Sequence, residues 1–528
     1  MNNVIIINLK IIIKLFISDL LFLMANIYNF FYKNKYRNKN KLIVNKKVLI
    51  NTSYHWSHSW FEYMMSERLV GTQQSPIAFV CDGMPYCELE ITSLKRPSCA
   101  VCALNTKRKL NHFGIKYVLL SECITKLDII EIDKFIEKND IINLEKIDLH
   151  GINIRKYSLN NLYHFNKGVV EPKEYIDLFK RIIKSSLITS KSIINLVKKY
   201  NIDLLITTNG KFIQSGIAIE IFKNSNKEYI TWDAFTQGEK FIVGYNCIAH
   251  DQSIDDKILK DFDFTRVEYI KWTDNYFKLQ SKSLNVPYKY YDDTNENDIK
   301  LLNNILFQSK NKKIISYYPN VEWDATALNL DSIFNSVRDA LIYLVNFVIE
   351  NNEFFLIVRL HPAEIKVPFH MQTKNSISSF LKELNLDPNS FLLIDSANNL
   401  KSYDLAKISN INIVYSSTFG IELPLMKIKP IVLSNCYYSF YSFVNKPSTR
   451  MNLYSLLKSD VKSYISEDEL LELKKIAYLA KNKRLFNINS MRGDKFLYFN
   501  NIKNKDKRIV ETFHDFVNGV KNEFLFNE

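Results

Sequence analysis

Three consecutive hydroxyl residues follow an apolar run in the C-terminal half of the chain. Positions 413–422 read Ile-Val-Tyr-Ser-Ser-Thr-Phe-Gly-Ile-Glu, which predicts a strand that leads directly into a helix. Hydroxyl groups and the N–H groups of a helix N-terminus bind anions. Ser416, Ser417 and Thr418 therefore predict a phosphate site, and Glu422 is placed to accept hydrogen bonds from ribose hydroxyls. The alternative is N-capping alone, because Ser and Thr cap helices whatever binds there.

A second polar cluster stands in the same half of the chain. Arg359 and His361 directly follow the apolar run Phe-Phe-Leu-Ile-Val, and Pro362 ends the strand that this run predicts. An imidazole donates to a phosphate oxygen, and a guanidinium binds phosphate through two parallel hydrogen bonds. We therefore predict that Arg359 and His361 hold the same phosphate as the hydroxyl run. The alternative is a His-Pro turn that binds no ligand.

A loop rich in histidine and aromatic residues follows the first predicted strand. Residues 53–60 read Ser-Tyr-His-Trp-Ser-His-Ser-Trp. An imidazole titrates near neutral pH, so His55 is a candidate base for an acceptor hydroxyl, and Trp56 and His58 are candidate acceptor-binding residues. Asp82, at the end of the second predicted strand, is a competing candidate base. The alternative is a packed aromatic loop without a catalytic role.

Two further polar segments follow predicted strands. Thr-Asn-Gly-Lys at 208–211 separates a strand from a helix, so Asn209 and Lys211 are predicted to bind the acceptor, although Asn-Gly is also a common turn. Pro-Asn-Val-Glu-Trp-Asp at 319–324 follows the first strand of the second half and is predicted to line the donor site or the cleft.

Four of the seven cysteines stand close together in the sequence, at Cys81, Cys87, Cys99 and Cys102. Four thiolates suit a structural zinc ion or an iron–sulfur cluster, and the spacing of the last two residues is typical of such ligands. The spacing of the first two is not, and free buried thiols are the alternative. An odd cysteine total indicates a reducing compartment rather than a disulfide framework.

The order of apolar runs predicts an α/β fold. From residue 45 onward, short strand-like runs alternate with segments of helical periodicity, which is the pattern of parallel sheets covered by helices. The alternation pauses in a polar stretch near 295–310 and then restarts. We predict two Rossmann-like doubly wound domains facing across a cleft: an acceptor domain at 45–295 and a nucleotide-sugar domain at 305–490, with a closing helix within 491–528. Ligands of such sheets lie beyond the carboxyl ends of the strands.

The first residues predict a membrane-associated helix. Residues 4–32 are strongly apolar but are interrupted by three charged side chains, and the basic stretch 33–47 follows. Because about 20 apolar residues are needed to span a bilayer, 1–44 predicts an interfacial or shallowly inserted anchor. The basic flank favours the anionic cytoplasmic face of the inner membrane. The alternative is an amphipathic helix packed on the body of the protein.

The net charge of +14 favours anionic partners, although many of the lysines are dispersed along the chain. No nucleic-acid-binding module is recognisable, so nucleic acid is not an expected partner.

The motifs resemble those of one enzyme family. Arg-Leu-His-Pro at 359–362, the hydroxyl run with its Gly and Glu at 416–422, and Lys-Pro-Ile-Val at 429–432 are similar to motifs of bacterial capsular-polysaccharide biosynthesis glycosyltransferases of GT-B architecture. They also resemble motifs of CDP-glycerol transferases. The resemblance implies that His361, Ser416 and Ser417 hold the donor phosphate and that the Glu binds ribose.

The resemblance leaves the catalytic base open. In sialyltransferase relatives an acidic residue followed by Asp-Gly carries the base, whereas this chain has Cys81-Asp82-Gly83 and matches only the last two residues. Asp82 and His55 both remain candidates.

The sequence as a whole predicts a glycosyltransferase. The expected donor is a CMP-, CDP- or UDP-linked sugar, and the expected acceptor is a growing surface polysaccharide or a lipid-linked glycan. The chemistry is expected to need no cofactor, because such enzymes resemble metal-independent transferases. One alternative is a sugar-nucleotide epimerase of the UDP-N-acetylglucosamine 2-epimerase type. Another is a non-catalytic, membrane-associated protein of polysaccharide assembly.

Overall fold

The structure is a computed structural model. It describes residues 46–52, 62, 76–87, 99–235, 240–251, 253–254, 256–281, 295–328, 330–384, 387, 389–459 and 465–487. The predicted N-terminal anchor, the loop that carries His55, Trp56 and His58, and the predicted closing helix lie outside these residues.

The strands and helices are numbered in chain order. The strands are β1 (Val48–Asn51), β2 (Ile77–Val80), β3 (Lys116–Leu119), β4 (Asp148–Leu149), β5 (Ile152–Asn153), β6 (Leu204–Thr208), β7 (Glu228–Phe235), β8 (Lys240–Tyr245), β9 (Lys313–Tyr318), β10 (Phe354–Arg359), β11 (Phe391–Ile394), β12 (Ile411–Val414), β13 (Ile431–Val432) and β14 (Phe486–Asn487). The helices are α1 (Cys99–Phe113), α2 (Lys126–Lys138), α3 (Ile154–Asn166), α4 (Ile176–Tyr200), α5 (Ile213–Asn224), α6 (Asp256–Asp261), α7 (Val267–Ser281), α8 (Glu296–Gln308), α9 (Val337–Glu350), α10 (Ile377–Glu383), α11 (Ser402–Ile408), α12 (Phe419–Glu422), α13 (Arg450–Lys458) and α14 (Glu467–Tyr478).

The chain divides into two compact units. The first comprises Met1–Phe165, Glu171–Ala249 and Lys483–Glu528, and the second comprises Asn166–Val170 and His250–Asn482. Both are mixed α/β units built on parallel strands, as the alternating pattern predicts.

The sheet of the first unit has the strand order β14-β8-β7-β6-β1-β2-β3. Strands β1, β2, β3, β6 and β7 run parallel, and β8 and β14 add antiparallel pairs at one edge. In the register, Ile50 of β1 lies beside Ala78 of β2 and Ile206 of β6. All three side chains are buried, which is why the central strands read as continuous apolar runs rather than alternating ones.

Helix α4 is the long buried helix of this unit. Its 25 residues carry several buried hydroxyl side chains among the apolar ones. Thr189 and Ser186 donate to the carbonyl oxygens four residues earlier, at 2.8 Å and 2.9 Å, so these hydroxyls are satisfied within the helix itself. The helix ends at Asn201, which adopts the left-handed conformation typical of a C-terminal cap.

The sheet of the second unit has the order β11-β10-β9-β12-β13, with every pair parallel. Its core forms where α9 packs on β9 and β10, with Leu341, Leu344 and Leu356 each completely buried. Ser336 caps α9 by accepting from the Asp339 amide at 3.1 Å.

The predicted domain boundary near 295–310 differs from the division of the structure. Helices α6 and α7 belong to the second unit because aromatic side chains join α7 to α14. The rings of Tyr269 and Tyr478 stack with their centroids 4.6 Å apart, and Phe262 stacks on Tyr269 at 5.4 Å. The longer segment of the second unit therefore begins at His250 rather than after the polar stretch. Among the helices of the described residues, none combines the length and apolarity needed to cross a membrane.

A glycine in α5 gives a test of the packing in the first unit. A Cβ on Gly216 would overlap the ring of Tyr157 and lie 2.9 Å from the carbonyl oxygen of Gly210. We expect Gly216→Ala to lower the free energy of unfolding by about 1–3 kcal/mol, despite the better helix propensity of Ala. Urea unfolding measures this. Gly83→Ala is the matched control, because a Cβ there has nothing within 4 Å, and a loss as large as that of Gly216→Ala would contradict the packing argument.

Candidate functional site

The strand order of the second unit places the predicted donor motifs at one edge. Strands β10 and β12 are the two neighbours of β9, and all three run parallel. Their carboxyl ends are therefore about 10 Å apart, which is twice the spacing of adjacent strands. The chain passes from β9 to β10 on one side and later reaches β12 on the other, so the strand order reverses at β9. Ligands of open α/β sheets bind at such a point.

His361 opens the turn that follows β10. Its Nδ1 accepts a hydrogen bond from the Ala363 amide at 3.0 Å, which places the imidazole hydrogen on Nε2. Burial, assisted by the nearby positive charge of Arg359, lowers the pKa of His361 to about 4. His361 is therefore a neutral side chain at pH 7 whose Nε2–H group is a hydrogen-bond donor.

The prediction that Arg359 binds phosphate is not supported by its contacts. Arg359 is 2% exposed, and its guanidinium donates to the carbonyl oxygens of Leu360, Asp395 and Asn398 at 2.9, 2.8 and 2.9 Å. The sheet places β11 beside β10, so these bonds fasten the loop after β11 to the end of β10. Arg359 thus acts as a buried clamp between two loops.

Glu364 holds the same loop from the turn that His361 opens. It is buried and accepts a hydrogen bond from the Ser396 hydroxyl. Burial raises the pKa of Glu364 to about 7, and the nearby carboxylates of Glu322 and Asp395 add to this effect. The turn after β10 is therefore fixed from both ends, by Arg359 and by Glu364.

The hydroxyl run after β12 is partly used in holding neighbouring loops. The Ser416 amide donates to Asn320 Oδ1 at 3.0 Å, and the Ser416 hydroxyl donates to the Thr326 carbonyl oxygen at 3.1 Å. Ser417 Oγ accepts from the Phe419 amide at 3.3 Å, so its hydroxyl hydrogen is the group that can donate to an anion. Thr418 is exposed.

The helix that follows the hydroxyl run is shorter than the sequence suggested. Helix α12 has four residues, Phe419–Glu422, and continues as a 3-10 turn, Leu423–Met426. A single turn aligns few peptide dipoles, so its contribution to anion binding is small. The predicted site therefore depends on side chains more than on the helix.

Close packing within this motif requires a glycine at position 420. A Cβ there would collide with the Tyr438 hydroxyl and lie 2.8 Å from Cγ2 of Val414. The Tyr438 hydroxyl donates to the Ser417 carbonyl oxygen, so the close approach holds the hydroxyl run in place.

Glu422 is the last residue of α12 and is buried. It accepts hydrogen bonds from the Tyr403 hydroxyl and from the Gln280 side chain, and the Lys481 ammonium attracts it. Burial nevertheless raises the pKa of Glu422 to about 7 and lowers that of Lys481 to about 8. Because protein groups already bind this carboxylate, its predicted contact with ribose stays a prediction.

The loop after β9 carries the segment 319–324, which the sequence predicts to line the donor site without assigning roles to single residues. Asn320 contacts Ser416, as described above. Glu322 is buried and forms a bidentate ion pair with Arg338, with Nε to Oε1 at 2.9 Å and Nη2 to Oε2 at 2.9 Å. Trp323 Nε1 donates to Thr373 Oγ1 at 3.0 Å. The loop after β9 is thus joined to the hydroxyl run by Asn320, to α9 by Glu322 and to the region after β10 by Trp323.

Asp82, Asn209 and Lys211, the predicted residues of the first unit that the structure describes, follow the carboxyl ends of strands of its sheet. Asp82 follows β2 and Asn209 follows β6, and these strands flank β1. The Asp82 carboxylate accepts from the Ser121 amide at 3.1 Å and from the Ser121 hydroxyl at 2.5 Å. Asn209 Oδ1 accepts from the Lys211 amide at 3.2 Å, and the Lys211 side chain is buried. Asp82 thus joins the loop after β2 to the turn after β3, Asn209 supports a local turn, and Lys211 has little surface to offer an acceptor.

Cys81, Cys87, Cys99 and Cys102 are half-buried and form no disulfide bond. Among the described residues, which include all four, no three side chains of the metal-binding types are grouped so that they could hold a metal ion.

An open pocket of about 470 Å³ lies elsewhere in the first unit, at the amino ends of β2 and β3. Its lining residues are Ile77, Asn111, Gly114, Ile115, Lys116, Tyr117, Val118 and Tyr200. This lining has one ionisable amine and no carboxylate or imidazole, so it lacks the groups that acid–base chemistry requires.

No model of a protein family matches the sequence. No curated protein matches it either.

Solved structures with partial likeness to the chain include proteins of three kinds. A beta Kdo 2,4 transferase, KpsC from Thermosulfurimonas dismutans, is 13% identical, with 55% of this chain and 83% of that chain covered and a TM-score of 0.34. The wall teichoic acid polymerase TagF is 11% identical, with 98% of each chain covered and a TM-score of 0.24. The UDP-GlcNAc 2-epimerase of Methanocaldococcus jannaschii is 11% identical, with 71% and 94% covered and a TM-score of 0.24. All three TM-scores are below 0.5, so these likenesses carry no argument about function.

Proposed function

We propose that the chain is a glycosyltransferase that moves a sugar from a nucleotide-sugar to a surface polysaccharide or a lipid-linked glycan. The observation that carries the proposal is the state of His361. It is a neutral Nε2–H donor at the carboxyl edge of a parallel sheet, and the Ser417 hydroxyl follows the strand on the other side of β9. The motif resemblance supports the same conclusion. The proposed acceptor lies at the cytoplasmic face of the inner membrane.

The two donors suit the chemistry of glycosyl transfer. As the bond from the anomeric carbon to the leaving phosphate breaks, negative charge grows on the phosphate oxygens. Donors that are already oriented stabilise this charge more in the transition state than in the ground state. The Nδ1 hydrogen bond orients the His361 ring, and the Tyr438 contact holds the backbone of Ser417.

The acceptor hydroxyl loses its proton to a base in this scheme. Asp82 and His55 remain the proposed candidates. Asp82 is hydrogen-bonded to Ser121, so it must exchange that contact for the acceptor hydroxyl if it serves as the base. His55 stays a prediction from the sequence alone.

Nucleotide binding tests the proposal directly. We expect at least one of CMP, CDP and UDP to raise the melting temperature of the full chain, and His361→Asn to reduce that rise. Asn keeps an oxygen that can cap the turn but shortens the reach of the donor. His150→Asn is the matched control, because His150 is exposed in the first unit. If no nucleotide changes the melting temperature of the wild-type chain, the transferase proposal fails. Conversion of UDP-N-acetylglucosamine to its 2-epimer without an acceptor would favour an epimerase instead.

The protonation state of His361 gives a second prediction. Its folded-state pKa, about 4, is below the ordinary value of 6.5. The unfolded chain therefore binds a proton that the folded chain does not, and the contribution is complete above pH 6.5 and is lost as the pH falls. Between pH 7 and pH 5 the wild-type chain should lose about 2 kcal/mol more unfolding free energy than His361→Asn. Urea unfolding at the two pH values measures this, and equal losses would contradict a lowered pKa of His361.

The buried clamp of Arg359 gives a third prediction. Lys cannot reproduce the bonds from one guanidinium to three carbonyl oxygens, so Arg359→Lys should lower the unfolding free energy by about 2–4 kcal/mol. Nucleotide affinity of the folded variant should change less than threefold, because the guanidinium does not contact the ligand. Denaturant unfolding and calorimetry, with exposed Arg266→Lys as control, separate the two effects. A variant that keeps the wild-type stability but binds nucleotide more weakly would show instead that Arg359 contacts the ligand.

A further inference from the structure

The open pocket at the amino ends of β2 and β3 lies at the end of the first sheet opposite to Asp82 and Asn209. Its volume of about 470 Å³ is within the range of small-molecule sites. The four residues of β2 separate the two ends of the sheet by roughly 13 Å, at a rise of about 3.3 Å per residue. Reacting ligands of such sheets lie beyond the carboxyl ends of the strands, so this pocket holds its ligand away from the reacting groups.

The carboxyl end of α1 forms one side of the pocket. The helix ends at Phe113, and Gly114 follows with a left-handed φ of 67°. The Gly114 amide donates to the Asn111 carbonyl oxygen at 3.1 Å, and the Ile115 amide donates to the Leu110 carbonyl oxygen at 2.9 Å. This cap turns the chain directly into β3, so the residues of the turn and of the strand line one continuous wall.

The carboxyl end of α4 contributes Tyr200, the last residue of that helix. The amides of Asn201 and Ile202 both donate to the Val197 carbonyl oxygen, which caps the helix behind the ring. The Lys199 ammonium lies 5.3 Å from the centre of the Tyr200 ring, and this cation–π contact restrains the ring further. Both sides of the pocket are therefore fixed by capped helix ends.

Four side chains give the lining its chemistry. Tyr117 and Tyr200 supply half-buried aromatic rings, and the exposed Asn111 and Lys116 supply amide and ammonium donors. The last carbonyl oxygens of a helix have no partner within the helix, and they carry the negative end of its dipole. The pocket therefore combines aromatic faces, hydrogen-bond donors and hydrogen-bond acceptors.

This combination distinguishes between classes of ligand. A pyranose has hydroxyl groups that donate to the helix carbonyl oxygens, oxygen atoms that accept from Asn111 and Lys116, and C–H groups that pack on the negative faces of the tyrosine rings. A phosphate has few donors for the carbonyl oxygens at neutral pH, and the negative helix ends repel it. A lipid chain leaves the amide and carbonyl groups unpaired. The lining therefore favours a sugar.

We propose that this pocket binds a sugar unit of a polysaccharide, at a distance from the unit that reacts. The lining alone carries the class of the ligand, a pyranose, whereas its assignment to the acceptor polymer rests on the proposed function. A polymer of several sugars reaches from the pocket to the carboxyl edge of the same sheet. Binding at the pocket then keeps the acceptor on the protein between transfer steps and raises its effective concentration at the carboxyl edge.

Binding of the full chain to immobilised bacterial capsular and O-antigen polysaccharides tests the proposal, with surface plasmon resonance as the measurement. We expect the wild-type chain to bind at least one of these glycans. Tyr200→Leu removes the aromatic face and should weaken this binding at least tenfold, whereas Tyr200→Phe keeps the face and should stay within threefold of wild type. Asn111→Leu removes the amide at similar size and should weaken binding at least fivefold.

The matched control for Asn111→Leu is Asn303→Leu, because Asn303 is also an exposed asparagine of a helix but lies in α8 of the second unit. Its glycan affinity should remain within twofold of wild type. The melting temperature of each variant verifies folding, and the surface position of Asn111 keeps the test valid if Tyr200→Leu does not fold.

The outcomes separate the pocket from the proposed function. Wild-type glycan affinity in folded Asn111→Leu and Tyr200→Leu, or no glycan binding by the wild-type chain, overturns the sugar pocket. The rise in melting temperature with CMP, CDP or UDP then decides the transferase proposal independently. Glycan binding that depends on Asn111 and Tyr200, in a chain that no nucleotide stabilises, retains the sugar pocket without the transferase.

Discussion

The parallel pairing of β9 with β10 on one side and β12 on the other is the constraint on which the candidate site depends. It brings the turn of His361 and the hydroxyl run to one edge although they stand far apart in the sequence. Loops at such an edge expose backbone carbonyl and N–H groups that must be satisfied when buried. Arg359, Asn320 and Ser416 satisfy several of them. Part of the polar groups at this edge is therefore used in holding loops together.

Burial sets the charge of several ionisable groups at this edge. It makes His361 neutral and brings the pKa values of Glu364 and Glu422 to about 7. Each of these carboxylates accepts a hydrogen bond from a hydroxyl group. The charges of the buried Glu322–Arg338 pair balance one another.

The sequence predicts the strands and the polar residues that follow them, but it does not predict which distant segments these residues contact. An apolar run followed by His-Pro or Ser-Ser identifies a strand and the polar residues after it, because strand and turn signals act over a few residues. Whether Arg359 faces a ligand or the next loop depends on β11, which the local sequence does not place. The difference between the predicted boundary and the division of the structure has the same origin, because the stacked rings of Tyr269 and Tyr478 are far apart in the sequence.

The short helix after the hydroxyl run has a consequence for how an anion is held. A single turn supplies a small dipole, and neutral donors such as His361 and Ser417 supply direction more than strength. A phosphate therefore needs a full positive charge nearby to be bound from water, since its own desolvation is costly. Arg359 is committed to carbonyl oxygens, so that charge has to come from another element of the same edge.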